Sequence, residues 1–312
     1  FWLKALPRGL IRSQGPAMFP WAPPRAYLPP WLWLGVLLPL QGARATPGLV
    51  TLSTGAAHSC ALEQQGGVVK CWGEGSHGQL GHGKKTSSES PVDVLELGEV
   101  VAVSAGGLHS CAVETSGTVK CWGDGHHGQL GHGGLSGRSV ALPVPGLNAV
   151  TDVSAGGSHT CALDMSGVVK CWGWGHYGQL GQGNGFSSRY PRAVAGLEAA
   201  AVSVGGLHSC VAERNGTVWC WGWGAQGQLG PGVASQSVPV LVPGIAGAVA
   251  VSCGYAHTCA MLQDGDVQCW GRGVDLQLQD SRDIWDKTSR RVMLLEEAVI
   301  NTMWSSPLGS AW

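Results

Sequence analysis

The chain has 312 residues, among them 50 Gly, 17 Pro, 15 Trp and 11 Cys, and only 12% are charged. So much glycine with so few charges argues against a disordered chain and for a tight, turn-rich β fold. A formal net charge of −1 gives no electrostatic case for nucleic acid.

Read from Met18, the leader carries a positive charge at Arg25, an apolar stretch from Trp31 to Leu40, and Ala43-Arg44-Ala45. That outline predicts a signal peptide over 18–45 with cleavage before Thr46. A Pro-rich leader or a signal anchor is the other reading. The apolar stretch is too short to span a bilayer, so no stable membrane insertion is expected. Residues 1–17 carry no structural expectation.

From residue 46 onward one unit recurs. Its copies open at His58, His109, His159, His208 and His257, about 50 residues apart. A fixed period of that length predicts an all-β fold of tandem blades, each too small to bury its faces alone. Within one unit, the short runs Cys111-Ala-Val-Glu and Thr118-Val-Lys-Cys121 flank Thr115-Ser116-Gly117. A three-residue loop ending in Gly predicts a hairpin, since glycine takes a positive φ without steric cost. Valine-rich runs beginning near Val100, Val150, Ala201 and Val249 predict a further strand per unit, making about four.

Pairing about Ser116 sets Cys111 opposite Cys121, and opposed residues lie roughly 4.5–5.5 Å apart at Cα, within disulfide reach. The same register pairs Cys60 with Cys71, Cys161 with Cys171, Cys210 with Cys220, and Cys259 with Cys269. These are five disulfides in an oxidising compartment, or five pairs of packed thiols in a reducing one. Cys253 is left over. Trp72, Trp122, Trp172, Trp221 and Trp270 follow the second cysteines and are expected to pack blade against blade.

Gly106-x-x-His109, Gly117-x-Val119, Trp122-Gly123 and the Gly-Gln-Leu-Gly-x-Gly run from Gly128 to Gly133 recur in this order over about residues 50–280. The pattern resembles the regulator of chromosome condensation repeat. That resemblance implies a β-propeller, usually of seven blades, and guanine-nucleotide exchange on a small GTPase as one activity. The chain departs from the family pattern at Gly75, Gly125, Gly175, Gly224 and Gly273, where the family usually has Asn. Its paired cysteines also suit an oxidised relative better than a nuclear one.

The fifth copy decays into Leu276-Gln277-Leu278-Gln279. Val292 to Leu295 and Val299 to Trp304 can still be strands. The expected organisation is a leader (1–45), a five-repeat propeller domain (46–280) and a divergent tail (281–312). The array is either incomplete or closed by that tail.

Candidate sites follow from what the frame leaves variable. Just after Trp-Gly stand Glu74, Asp124, Trp174, Trp223 and Arg272, and with Tyr177 these are the expected partner-binding residues. Six loop histidines, His77, His82, His126, His127, His132 and His176, can share that face as a metal or pH site, or as solvated loop residues. Asn215-Gly216-Thr217 is a glycosylation sequon at a predicted hairpin tip. The GxGxxG matches, such as Gly73 to Gly78, lack the following helix of a dinucleotide site. His58, Cys60 and Cys71 are one ligand short of a structural zinc site. No catalytic residue, cofactor or metal is expected. The expected function is a secreted, non-enzymatic scaffold that binds an extracellular protein. The alternatives are nucleotide exchange or a carbohydrate- or metal-binding propeller.

Overall fold

The computed structural model describes residues 50–63, 66–273 and 290–292. They form five four-stranded antiparallel sheets in succession, with no helix among the described residues. Blade 1 comprises β1 (Val50–Thr54), β2 (His58–Glu63), β3 (Val68–Gly73) and β4 (Ser88–Asp93). Blade 2 comprises β5 (Val100–Ala105), β6 (His109–Glu114), β7 (Val119–Gly123) and β8 (Arg138–Pro143). Blade 3 comprises β9 (Val150–Ala155), β10 (His159–Asp164), β11 (Val169–Gly173) and β12 (Ser188–Ala193). Blade 4 comprises β13 (Ala199–Val204), β14 (His208–Glu213), β15 (Val218–Gly222) and β16 (Gln236–Leu241). Blade 5 comprises β17 (Ala248–Cys253), β18 (His257–Leu262), β19 (Val267–Gly271) and β20 (Arg290–Val292). Every sheet is a meander, and the five do not close into a ring among the described residues.

The central hairpins take the register that the repeat predicts: Cys111 faces Cys121, and its four counterparts pair alike. Gly117 closes its hairpin at φ +78°. The glycine after each Trp ends the third strand. Gly123, at φ +104°, sits where the β7–β8 register shifts, and this bulge turns the chain out into a loop. β20 completes blade 5 by pairing Val292 with Val267. It begins slightly earlier than the strand expected over 292–295. The leader, Val274, Leu276 to Gln279 and the tail from 293 lie outside the described residues.

The core lies between blades. Cys60, Leu62, Val69, Cys71 and Leu80 of blade 1 form one cluster with Val100, Val103, Ala105, Ala112 and Trp122 of blade 2. Trp122, Trp172, Trp221 and Trp270 are fully buried, each against the blade before. Trp72, with no earlier blade among the described residues, is half-buried.

A repeated polar joint crosses each of these interfaces. The Gln79 carbonyl accepts the Ser110 hydroxyl (3.0 Å) and the Trp122 indole N–H (2.8 Å). Gln129 does the same for Thr160 and Trp172, Gln179 for Ser209 and Trp221, and Gln228 for Thr258 and Trp270. Because each hydroxyl donates its proton to a carbonyl, it must accept from the preceding blade's histidine. His58 Nε2 bonds Ser110 at 2.8 Å, and His109, His159 and His208 bond Thr160, Ser209 and Thr258. The tautomer is thereby set, with the proton on Nε2. Nδ1 of all four rings is buried and has no partner. Glycine is required at the start of Gly-x-x-His: a Cβ on Gly106 would stand 2.5 Å from the Gly156 carbonyl oxygen.

Burial holds His58 down to about 4, and His109, His159 and His208 down to about 3. The unfolded chain protonates these rings near 6.5. Their contribution to stability is therefore complete above about 6.5 and lost as pH falls toward the folded values. Asp152, raised to about 6 by burial, acts in the opposite sense, but it is one group against four. Thermal unfolding followed by circular dichroism is expected to show a midpoint that falls steadily between about pH 6.5 and 4.5. His109→Gln, which keeps a donor but does not titrate, should weaken that dependence.

Candidate functional site

The same glutamines that join the blades shape the loops. Gln79 Oε1 accepts the His77 backbone N–H, Gln129 that of His127, Gln179 that of Tyr177, and Gln228 that of Gln226, all at 2.9–3.0 Å. Four loops are thus held in one shape. Glu74, Asp124, Trp174 and Trp223 occupy equivalent places on successive blades.

In blades 1 and 2 this place is acidic and internally satisfied. Glu74 accepts the Ser76 backbone N–H (3.1 Å) and a close bond from the Gln79 amide. Asp124 accepts from Gln129 at 2.8 Å and is bonded to His126 Nδ1. Partial burial opposes both charges, but these hydrogen bonds outweigh it, and both carboxyls titrate below their ordinary values. Glu74 and Asp124, read from sequence as partner contacts, thus also buttress their own loops.

In blades 3 and 4 the place is aromatic. The Trp174 ring lies 5.6 Å from His127 of blade 2, 5.7 Å from His176 and 5.5 Å from Tyr177, edge-on to the last. Tyr177 in turn lies 6.3 Å from Trp223 of blade 4. The result is a continuous ridge across three blades. The two indoles are half-buried, whereas Tyr177, His127 and His176 are exposed. Trp174, Tyr177 and Trp223 are brought together. Arg272 is exposed on blade 5, outside these ring contacts.

The remaining candidate residues fall elsewhere. The five opposed cysteine pairs have Cα atoms 4.0–4.1 Å apart and sulfurs at bonding distance. That is closer than an ordinary opposed pair. Asn215 is exposed at the β14–β15 tip, where its Oδ1 accepts the Thr217 backbone N–H at 2.9 Å. His132 bonds the Leu142 carbonyl and His82 the Thr86 hydroxyl, and among the described residues none of the six loop histidines belongs to a group close enough to hold a metal. Cys253 is buried, its thiol pushed up to about 12 and donated to the Ser203 carbonyl. It lies with His208 and Cys210 in a group compact enough for a metal. But Cys210 is bonded to Cys220, which leaves only His208 Nδ1 and the Cys253 thiol, two ligands where a structural zinc site takes four.

Sequence reasoning did not assign a role to the joint glutamines, or to the Ser or Thr after each repeat histidine. Their recurrence in every joint was the available signal. It does not say that a backbone carbonyl, rather than a side chain, makes the contact.

Four-stranded antiparallel blades in tandem, with a repeated joint and variable loops at one place, define a β-propeller array. The RCC1-like domain matches residues 36–305, and the chain belongs to that family. Human E3 ubiquitin-protein ligase HERC2 is 41% identical over 66 residues, which are 20% of this chain and 1% of the ligase. The crystal structure of human WBSCR16 superposes with a TM-score of 0.70 at 27% identity, covering 78% of this chain and 66% of that one. Prp20p of Saccharomyces cerevisiae superposes with a TM-score of 0.65 at 22% identity, covering 77% and 62%. The chain therefore spans less than two thirds of the length of each of these relatives.

The cysteine pairs are open to a direct measurement. Replacing Cys161 and Cys171 together with Ala is expected to cost on the order of 2–3 kcal/mol, because the bond closes a short loop of the unfolded chain. The change should lower the urea midpoint and, because the unfolded chain loses a cross-link and expands, make the transition slightly steeper.

Proposed function

We propose that this chain is a secreted, non-enzymatic interaction scaffold that binds an extracellular protein through the loops after Trp-Gly. The observation that carries the reading is the aromatic ridge at the one place where an otherwise repeated frame varies. The glutamine bonds hold the loops that carry these side chains in one shape before binding, so little loop ordering opposes association. Half-buried Trp and Tyr side chains are typical anchors of such interfaces.

Secretion is supported by the signal-peptide outline over 18–45 and by five cysteine pairs at bonding distance, an arrangement suited to an oxidising compartment. The exposed sequon at Asn215 supports glycosylation in the same compartment. Nucleotide exchange on a small GTPase is the second reading, because Prp20p has been studied for binding to Gsp1p and histones. At 22% identity that likeness carries the fold alone.

Expression from Met18 in a secreting mammalian cell tests the proposal. The expected product is in the medium, begins at Thr46, carries glycan at Asn215 and yields five bonded hairpin peptides on non-reducing digestion. A retained chain with free thiols would overturn secretion and put nucleotide exchange first. With the secreted protein in hand, the double change Trp174→Ala and Trp223→Ala is expected to weaken its binding to cell surfaces by roughly 30-fold, the loss that goes with removing an anchor aromatic.

A further inference from the structure

The four joint glutamines differ in one respect. The side-chain amide nitrogens of Gln79 and Gln129 donate to Glu74 and Asp124. Those of Gln179 and Gln228 are buried and have no hydrogen-bond partner. Both residues are 0% exposed. At the place of the carboxylate their blades carry Trp174 and Trp223. Leaving a primary amide buried without an acceptor is unfavourable, and two adjacent blades do so where the ridge rises.

The geometry points to a binding subsite for a neutral oligosaccharide on this ridge. The inference rests on the reading of this face as the binding face and specifies what it recognises. A pyranose presents a C–H face that stacks on an aromatic ring and a hydroxyl edge that both donates and accepts hydrogen bonds. The ridge offers the complement of each. Trp174, Tyr177 and Trp223 stand in a row for stacking. The amides of Gln179 and Gln228 are donors in need of an acceptor oxygen. The exposed imidazoles of His127 and His176 can bond further hydroxyls.

The electrostatics narrow the class. The ridge holds no Lys or Arg, and the equivalent positions on either side of it are Asp124 on blade 2 and Arg272 on blade 5, which offset one another. A sialylated, sulfated or phosphorylated ligand would therefore find no net positive charge to favour it over a neutral one. Interplanar angles from 33° to 87° give separate ring faces, not one closed pocket. That arrangement suits successive rings of a chain better than a single inserted side chain. Because the amide nitrogens lie beneath the surface, engagement includes movement of an indole edge, which tryptophan fluorescence reports.

The test uses the secreted protein on an array of neutral, sialylated and sulfated glycans, the neutral ones including high-mannose N-glycans and chito-oligosaccharides, followed by fluorescence titration of the best binder. The informative variants are Trp174→Asp and Trp223→Asp, which rebuild the blade 2 arrangement and give Gln179 and Gln228 an internal acceptor. The expected result is a thermal midpoint equal to or above that of the parent, with glycan affinity lower by roughly 30-fold. Absence of binding to every neutral glycan overturns the inference. So does equal binding by the doubly substituted protein, or a preference for sialylated or sulfated glycans. A fall in the thermal midpoint of both variants also overturns it, by showing that the indoles already satisfy the amides. If binding to a protein partner persists after its glycans are removed enzymatically, the oligosaccharide is excluded and the interaction-scaffold reading stands.

Discussion

One carbonyl oxygen in each of the first four blades carries the architecture. Gln79 accepts both a hydroxyl and an indole from the next blade, and Gln129, Gln179 and Gln228 do the same in turn. A single hairpin is marginal in water, and a blade of this size buries little within itself. The interface must therefore supply both apolar area and direction. The stacked Trp supplies area, and its N–H, with the Ser or Thr hydroxyl, sets the direction. Polar groups inside such an interface are favourable only when satisfied. The histidine that completes each hydroxyl is held neutral by burial, so joint and solvent pH are physically linked.

The same residue couples scaffold to surface. The backbone carbonyl of each glutamine joins blades, and its side-chain carbonyl holds the loop that carries the variable position. Loop residues can consequently change without disturbing the array. Glu74 and Asp124 use that freedom to brace their own loops, whereas Trp174 and Trp223 give up the brace and form a ridge with Tyr177. The loss of an internal bond at the place where aromatic surface appears is a local conflict of the kind that natural proteins tolerate at functional sites.

The covalent staples belong to a different level of the structure. Each joins the two central strands of one blade and leaves the blade interfaces to non-covalent contacts. Cys253 stands at the end of β17, against the neighbouring blade. There Ser203 satisfies both its backbone N–H and its thiol. Its burial and its bond to a carbonyl describe a packing residue, not a reactive one.

Much of this was legible in the residues alone. The recurrence of His-x-Cys, Gly-x-Val, Cys-Trp-Gly and Gly-Gln-Leu-Gly identified the blade, the hairpin and the family resemblance, because turn glycines and alternating strand faces are local requirements. The opposition of Cys111 and Cys121 followed from loop length, which is local too. Periodicity could not show what joins one blade to the next, since Gln79 and Trp122 are separated by most of a repeat and meet through a backbone atom. Nor could it distinguish Asp124, turned inward to Gln129, from Trp174, whose ring meets residues of two blades. Sequence by itself determined the unit and which cysteines face each other across its hairpin. Only the tertiary structure decided which variable side chains converge, because convergence depends on the angle at which neighbouring blades meet.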